Sequence, residues 1–429
     1  MSSDPRFAAL VRGAGGSFVV QVLGTGLAFA AQVLLARLLG TTHYGVFVVA
    51  TGWIALLAVP ASAGHGTAAL RFVASYVAAR DFGRLRGYLR VALASGAVVS
   101  LALAAAMFAV SQLAGESLGE PLARALEIGA LVLPLQTALV LLSAILLGLR
   151  SPVLSLLPSS LIQHPVMIAC VVAAFATGIP ATGRTAMVWT ALASAAALAL
   201  SIALLVRRLP REVQSASEIT ETSAWTRVAL PLFWITALNL VLQRADLLIV
   251  GARLGSEAAG VYSAASRLAL LISFGLTAVN AWAAPAFAEI HARGDTDELQ
   301  RVVRLAARVV TAFTIPVAVA IGLASTGLLG LFGEGFESGR RALAILCGGQ
   351  VVNALLGPVG YLMTMTGNQG EAARILTVSA LANVALCAVL APRYGLEGAA
   401  LGTACTQILW NVWMSLAVWR RLGVRATVL

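Results

Sequence analysis

Apolar runs of about 20 residues recur along the whole sequence, and this feature limits the possible folds more than any other. Each run is long enough for a helix to cross a hydrocarbon core about 30 Å thick. The chain is 59% hydrophobic and only 11% charged, whereas soluble domains are about 45–50% apolar and about 25% charged. The sequence lacks the alternating segments of about ten residues that a transmembrane β-barrel needs. We therefore expect an all-α polytopic membrane protein.

The apolar runs predict twelve transmembrane helices in two lobes of six. The predicted spans are 16–38, 44–64, 88–112, 125–149, 155–178, 183–206, 229–251, 258–283, 303–326, 339–365, 371–391 and 396–419. We expect an N-terminal lobe at 1–206 with helices 1–6 and a cytoplasmic linker at 207–227. A C-terminal lobe with helices 7–12 and a short cytoplasmic tail then occupies 228–429.

The arginines are distributed unevenly between the two sides of the predicted membrane. All 29 basic residues are Arg. Twenty lie in the tails and in or beside the even-numbered loops, seven lie in or beside the odd-numbered loops, and Arg244 and Arg267 lie inside spans. Because cytoplasmic loops carry the excess of basic residues, both termini are expected in the cytoplasm. The net charge of +11 therefore indicates membrane topology rather than nucleic-acid binding.

The two halves of the sequence resemble each other at a nearly constant offset. Four pairs share an offset of 214 or 215: LGTTHYGVF (39–47) with LGSEAAGVY (254–262), Asp81 with Asp295, Gln136 with Gln350, and Gly183 with Gly398. Six spans separate the copies, so both copies have the same orientation, and the predicted repeat is parallel about an axis along the membrane normal. Two such lobes around a central cavity are expected to work by alternating access.

Polar and charged side chains interrupt the apolar stretch 228–255. Asn239, Gln243 and Asp246 share one helical face, and Arg244 flanks that face. A charge at the centre of a membrane helix costs roughly 2.5–3.5 kcal/mol on insertion scales, so such residues indicate a functional site. Arg267 lies in the next span. These residues are predicted to form a polar site in helices 7 and 8.

The repeat indicates that the fold does not require these charges. At an offset of 215, the first-half positions are apolar or small: Phe29 for Arg244, Ala31 for Asp246 and Gly52 for Arg267. A purely structural alternative is that Asp246 pairs with one of the two arginines and locks helices 7 and 8 together, and for Asp246 we favour that pairing. The neutral amides are equally compatible with interhelical hydrogen bonds worth about 0.6 kcal/mol each.

Two further candidates lie in the first half. Gln21 belongs to a polar stripe in the first span, and Arg71 lies just beyond the second span. Arg71 is able to meet an anionic headgroup at the cytoplasmic mouth, although a long basic side chain near a helix end also extends to the interface without binding anything.

The sequence contains no pattern for a metal site, a cofactor or a catalytic centre. The four cysteines lie in apolar runs without CxxC spacing, so we expect all four to be small buried apolar residues. The four histidines form no HxxxH pair. No long external loop is predicted to hold acid, base or nucleophile side chains. We therefore expect no cofactor, no metal and no enzymatic activity.

Five segments that cover both lobes carry a family resemblance: ARLLGTTHYGVF (36–47), ALRFVASYVAARDFGRLRGYLR (69–90), ADLLIVGARLGSEAAGVYSAASRL (245–268), TGNQGEAAR (366–374) and YGLEGAALGTA (394–404). They resemble the Wzx-like polysaccharide (oligosaccharide) flippases of the multidrug/oligosaccharidyl-lipid/polysaccharide exporter superfamily. The resemblance implies a multi-pass protein of the bacterial cytoplasmic (inner) membrane. Its motifs at 39–47 and 254–262 are architectural and do not transfer as binding residues.

The resemblance also implies a substrate and partners. The substrate is an oligosaccharide on a polyprenyl diphosphate carrier, flipped from the cytoplasmic to the outer leaflet for cell-surface or exopolysaccharide synthesis. Partners are the bilayer and, as a further possibility, the glycosyltransferase and polymerase machinery. Arginine suits the diphosphate because its planar guanidinium binds phosphate oxygens in pairs. The predicted substrate-binding residues are Arg244, Arg267, Asp246, Gln243, Asn239, Gln21 and Arg71.

Two alternatives belong to the same superfamily. A cation-coupled exporter of small molecules uses a carboxylate in the first lobe, where this sequence has only Glu127 near a helix end. A peptidoglycan-precursor flippase usually has two further helices after the twelfth. The lack of a carboxylate well inside a first-lobe span and the prediction of twelve helices both favour the oligosaccharide flippase.

Overall fold

The computed structural model describes residues 5–427, and every regular element within that range is a helix. Residues 1–4 and 428–429, which belong to the predicted cytoplasmic tails, lie outside the described residues. The side chains of Arg6 and Arg12, two of the arginines assigned to the cytoplasmic side, are also not described.

Backbone contacts divide the chain into two units. The first unit holds the described residues up to Leu39 together with Val46–Ala237. After the N-terminal helix α1 (Pro5–Ala61), its helices are α2 (His65–Ala79), α3 (Phe82–Leu113), α4 (Gly115–Leu118), α5 (Glu120–Gly148), α6 (Pro152–Leu157), a π-helical turn (Pro158–Gln163), α7 (His164–Thr177), α8 (Gly183–Arg208) and α9 (Glu212–Ser215).

The second unit holds Gly40–Gly45 and the residues from Leu238 onward. Helix α10 (Thr222–Leu254) contributes residues to both units. The helices that follow are α11 (Ser256–Leu271), α12 (Phe274–Arg293), α13 (Thr296–Leu323), α14 (Ser325–Gly330), a 3₁₀ turn (Phe336–Gly339), α15 (Arg340–Leu356), α16 (Val359–Met365) and α17 (Gln369–Leu422).

The lengths and composition of these helices confirm the all-helical membrane class. In the described part of the chain, eight helices are long and apolar enough to cross a membrane, and ten crossings result if each of two bent pairs is counted as one. The bent pairs are Ser256–Leu271 with Phe274–Asn280, at 45°, and Phe336–Leu356 with Val359–Met365, at 43°.

Helix α17 folds back on itself at Gly395. This residue has φ 61° and ψ −141° inside an otherwise helical segment, a conformation that glycine adopts without a Cβ clash. Residues on either side then pack together, because a Cβ added at Gly402 would lie 2.8 Å from the Cys387 Sγ. The Cys387 thiol also donates to the Ala399 carbonyl over 3.6 Å. The 54-residue segment is therefore an antiparallel pair of helices.

Gly45 and Gly260, the second glycines of the two repeated motifs, lie at close backbone–backbone contacts in the second unit. A Cβ on Gly45 would overlap the carbonyl of Ser256, and a Cβ on Gly260 would overlap the carbonyl of Thr41. At an offset of 215, Thr41 corresponds to Ser256 and Gly45 to Gly260, so the two close contacts are reciprocal. Small residues permit such close helix approach.

The polar segment between α8 and α10 lies along the start of α3 in the first unit. The Ile219 N–H donates to the Gly83 carbonyl over 3.1 Å. Arg86 donates to the carbonyls of Gln214 and Ala216 at 2.7 and 2.9 Å. These contacts give the segment a fixed path and satisfy backbone groups at the end of α9 and in the residues that follow it.

Ion pairs and one buried indole reinforce this attachment. Arg90 pairs with Glu218 at 2.8 Å, and Arg84 pairs with Glu221 at 2.9 Å. The Trp225 indole N–H donates to the Tyr76 hydroxyl over 2.8 Å, and the Trp225 side chain is completely buried. The beginning of α10 is therefore anchored in the first unit.

The cysteines are free thiols with different environments. Cys347 and Cys387 are buried, Cys170 is half-buried and Cys405 is exposed. The expectation that all four are buried apolar residues is wrong for Cys405, because an apolar run that spans a membrane also has a face directed away from the protein interior.

Candidate functional site

The Asp246 carboxylate of α10 lies in the interior of the second unit, where the side chain is only 7% exposed. Its Oδ2 accepts hydrogen bonds from the Tyr262 hydroxyl at 2.8 Å and from the Thr403 hydroxyl at 3.1 Å. Its Oδ1 accepts from the Leu247 backbone N–H at 2.8 Å. A buried carboxylate requires such donors, because an isolated charge is very costly away from water.

Three elements bring these donors together. Tyr262 lies on α11, seven residues after the turn at Gly255, and is fully buried. Thr403 lies in the second half of α17, and the reversal at Gly395 places it beside Cys387, with Oγ1 and Sγ 3.8 Å apart. The Tyr262 and Thr403 hydroxyl oxygens are 3.2 Å apart. The carboxylate therefore ties α10, α11 and α17 to one another.

The two predicted site arginines form no ion pair with Asp246 among the described residues. The expected pairing that would lock helices 7 and 8 together is therefore wrong in this structure. Instead, hydroxyl and backbone donors fill three of the about four acceptor sites of the carboxylate.

Arg244 and Arg267 keep unused hydrogen-bonding capacity. Both side chains are half-buried, and the Nε of each is buried without a hydrogen-bond partner among the described residues. Arg244 interacts electrostatically with both Arg267 and Asp246. Two guanidinium groups and one carboxylate leave a formal charge of +1. Such an arrangement attracts an anion, because an arginine that gains a phosphate partner forms strong charge-assisted hydrogen bonds.

The neutral candidates of α10 lie at different depths. Gln243 is exposed, and Asn239 is half-buried and already has a polar interaction. Both belong to the second unit, as do Arg244, Asp246 and Arg267. The structure therefore collects five of the seven predicted site residues in one unit.

The other two candidates lie in the first unit. Gln21 is exposed on α1, and its carbonyl accepts from the Thr25 hydroxyl at 2.8 Å. Arg71 is exposed on α2, nearly two turns past the start of that helix at His65. Their assignment to a substrate site stays a prediction.

Tyr262 and Thr403 were not predicted as site residues. Both lie in segments that carry the family resemblance, at the end of LGSEAAGVY and in YGLEGAALGTA. Their roles depend on contacts across 16 and 157 residues of sequence with Asp246, and neither hydroxyl is unusual in its own span. The only sequence signal for these two residues was a hydroxyl group within a glycine-containing motif.

The described side chains contain no group of three His, Cys, Asp or Glu residues placed to hold a metal ion. The polar chemistry collected here consists of two arginines, one hydroxyl-bound carboxylate and neutral amides. The arginines among these groups are chemically able to form charge-assisted hydrogen bonds with an anion.

Comparison with solved structures gives the fold. An inward-facing multidrug resistance MATE family transporter of the MOP superfamily matches with a TM-score of 0.75 at 14% identity, over 96% of this chain and 98% of that one. The lipid II flippase MurJ in an inward closed conformation matches with a TM-score of 0.73 at 15% identity, over 95% of this chain and 87% of that one. A MOP superfamily transporter from Pyrococcus furiosus matches with a TM-score of 0.62 at 16% identity, over 97% and 95%.

Comparison of the sequence itself gives the family. No curated protein sequence matches the chain. The profile of the polysaccharide biosynthesis protein family matches residues 34–338, which is most of the chain. The fold is that of the MOP superfamily transporters. Since the family profile covers most of its length, the chain belongs to the polysaccharide biosynthesis protein family.

Proposed function

We propose that this protein is a flippase that moves polyprenyl-diphosphate-linked oligosaccharide from the cytoplasmic to the outer leaflet. The observation that carries this proposal is the pair of transmembrane arginines, Arg244 and Arg267, whose buried Nε groups have no partner among the described residues. Membership in the polysaccharide biosynthesis family supports the substrate class. The structural similarity to a lipid II flippase supports a lipid-linked substrate.

The proposed role of each charged residue follows from its contacts. Arg244 and Arg267 bind the diphosphate, because the guanidinium is always charged and its fork matches phosphate oxygens. Asp246 is held by Tyr262 and Thr403 instead of an arginine, so it leaves the arginine donors available. It lowers the site charge to +1, which favours capture of an anion without making release difficult. Gln243, Asn239, Gln21 and Arg71 are proposed as further polar contacts along the substrate path.

We propose twelve membrane crossings. The described α17 has 54 residues and α1 contributes an apolar stretch of 43, and helices of these lengths are about 81 Å and about 65 Å long at about 1.5 Å per residue. Each is far longer than a bilayer core, and each contains a non-helical glycine. Each of these two segments supplies two crossings. Each of the other six long helices and each of the two bent pairs supplies one, so the proposed total is twelve.

Local geometry supports the proposed parallel repeat. Gly40 has φ 67° and ψ 178°, and Gly255 has φ 88° and ψ 175°. Asp81 accepts from the N–H three residues later at the start of α3, and Asp295 does the same at the start of α13. Matching turns and caps at an offset of 214 or 215 favour two lobes, with 1–206 and 228–429 as the proposed lobes and 207–227 as the cytoplasmic linker.

The proposed orientation rests on the arginine distribution. Both termini are placed in the cytoplasm, because the tails and even-numbered loops hold most of the arginines. The proposed location is the bacterial cytoplasmic (inner) membrane. In alternating access, the arginine site would open first to the cytoplasmic side and then to the outer side. The bilayer and the enzymes that build and polymerise the oligosaccharide are the proposed partners.

A cation-coupled exporter of small molecules is the main alternative, since the similar solved structures include multidrug transporters. The first half of this chain has Glu127 as its acid nearest the interior of a span, and that carboxylate accepts from Gln112 at 2.9 Å. The arginine pair favours an anionic substrate over a cationic drug.

The test replaces each arginine by a neutral side chain. We expect Arg244→Gln and Arg267→Gln each to reduce flipping of the lipid-linked oligosaccharide by about tenfold or more, because a hydrogen bond to a charged group contributes about 1.5–3 kcal/mol. The matched control is Arg253→Gln, an exposed arginine at the end of the same helix as Arg244. Normal flipping by both site variants, at normal protein levels, would contradict the proposed cationic site.

A further inference from the structure

Four amide side chains form a cluster in the interior of the second unit. Gln350 and Asn353 lie on α15, and Gln407 and Asn411 lie on α17. The Gln350 Oε1 accepts from the Gln407 Nε2 at 3.1 Å and from the Asn353 Nδ2 at 3.4 Å. The Asn411 Nδ2 donates to the Gln407 carbonyl at 2.9 Å. We refer to these four residues as the amide cluster.

Two carbonyl oxygens of the amide cluster have no partner. Asn353 is 7% exposed and Asn411 is 0% exposed, and the Oδ1 of each lacks a donor among the described residues. The amide orientations are fixed by their neighbours, because rotating either side chain would aim its oxygen at another acceptor, either the Gln350 Oε1 or the Gln407 carbonyl. The unsatisfied groups of the cluster are therefore acceptors.

Burial of these two acceptor oxygens without a hydrogen-bond partner costs free energy. A buried polar group without a partner costs about 1–3 kcal/mol, and a membrane interior offers no bulk water to replace the partner. Any group that satisfies these two acceptors must present positive charge or hydrogen-bond donors. Divalent hard cations are usually held with the help of carboxylates, and the amide cluster contains none. Neutral carbonyl oxygens suit monovalent cations, as in potassium-selective filters.

We infer that the amide cluster binds a monovalent alkali cation through the Asn353 and Asn411 Oδ1 atoms. The first half of the chain supports a dedicated role for these residues. The positions at the repeat offset of 214 or 215 are apolar there: Ala138 and Leu139 for Asn353, and Ala196 and Ala197 for Asn411. The helical framework therefore does not require buried amides at these positions. The inference does not depend on the proposed transport substrate.

The experiment measures the thermal unfolding of the purified full chain in NaCl, KCl and choline chloride at equal ionic strength. We expect Na⁺ or K⁺ to raise the unfolding temperature in a saturable manner relative to choline, because a ligand that binds only the folded state stabilises it. Asn353→Leu and Asn411→Leu keep the branched shape of the side chain and remove the amide with its acceptor. Both variants should fold as well as the wild type in choline and lose the cation-dependent rise.

One further measurement keeps the outcome decisive. In wild-type crystals soaked with Tl⁺, an anomalous peak is expected between Asn353 and Asn411. The inference is overturned if no cation-specific rise occurs, if the rise survives both leucine substitutions, or if the cluster holds ordered water only.

Discussion

The Tyr262 hydroxyl donates a 2.8 Å hydrogen bond to the Asp246 carboxylate in the interior of the second unit. Tyr262 is itself completely buried, so its hydroxyl has no access to bulk solvent. The two residues lie on α10 and α11, separated by the turn at Gly255. This bond, together with those from the Thr403 hydroxyl and the Leu247 N–H, holds the Asp246 carboxylate in place without an ion pair to an arginine among the described residues.

Removing that donor should destabilise the protein. We expect Tyr262→Phe to lower the free energy of unfolding by about 1–3 kcal/mol, because a buried carboxylate oxygen loses a partner. Denaturation of the purified chain in detergent micelles measures the change. Tyr361→Phe is the control, since Tyr361 is 48% exposed, and its effect should stay within about 0.5 kcal/mol. Equal effects of the two substitutions would show that the Tyr262 bond is not stabilising.

The Trp225 side chain is the second test of stability. We expect Trp225→Ala to cost about 3–5 kcal/mol, because it empties a fully buried site and breaks the bond to Tyr76. The matched control is Trp234→Ala on the same helix, where the indole is 57% exposed. Thermal unfolding of both variants gives the comparison. A Trp225 variant as stable as the Trp234 variant would mean that the start of α10 is not anchored in this way.

The polar segment along α3 should loosen at acidic pH. The hydrogen bond and charge of Arg90 lower the pKa of Glu218 below its ordinary value. A group whose pKa is depressed in the folded state stabilises that state at pH above its unfolded value of about 4.3. This stabilisation is lost as the pH falls through the folded-state pKa.

Hydrogen exchange of the Ile219 amide, corrected for its intrinsic pH dependence, measures this loosening. Exchange should be faster below about pH 4 than at pH 7, and Glu218→Gln should show fast exchange already at pH 7. Glu212→Gln is the control, because that exposed side chain lies in the same segment and forms no ion pair with the described residues. Slow exchange in the Glu218 variant would contradict the attachment.

The reversal within α17 predicts a glycine requirement. A Cβ at Gly398 would overlap the Leu390 carbonyl of the neighbouring helix half, so Gly398→Ala must push backbone apart and should destabilise the protein by about 1–3 kcal/mol. Gly348→Ala is the control, because nothing lies within 4 Å of a Cβ at Gly348. That change should be neutral or stabilise the helix by up to about 1 kcal/mol. Denaturation measures both, and equal destabilisation would contradict the close packing.

The helical class was predictable because each apolar run is itself a long-range signal. A helix satisfies its own backbone hydrogen bonds, so the lengths of the runs sufficed to predict membrane helices. The positions of three turns were also predictable from the breaks between the predicted spans. In the structure, Gly40, Gly255 and Gly395 have positive φ values at these breaks. These features depend on a few neighbouring residues.

Contacts between distant residues were not predictable in the same way. The sequence suggested that Asp246 pairs with an arginine, because opposite charges attract. The structure instead supplies Tyr262 and Thr403, whose positions depend on the packing of α11 and on the reversal in α17. The path of residues 209–221 along α3 likewise depends on Trp225 and on arginines more than 120 residues earlier.

The flippase proposal is tested most directly by the leaflet in which lipid-linked oligosaccharide accumulates when this protein is depleted from its cells. An impermeant reagent that modifies only the outer leaflet reports the orientation. The proposal predicts accumulation of the intact lipid-linked oligosaccharide in the cytoplasmic leaflet, protected from the reagent. Accumulation in the outer leaflet, or no accumulation at all, would contradict it.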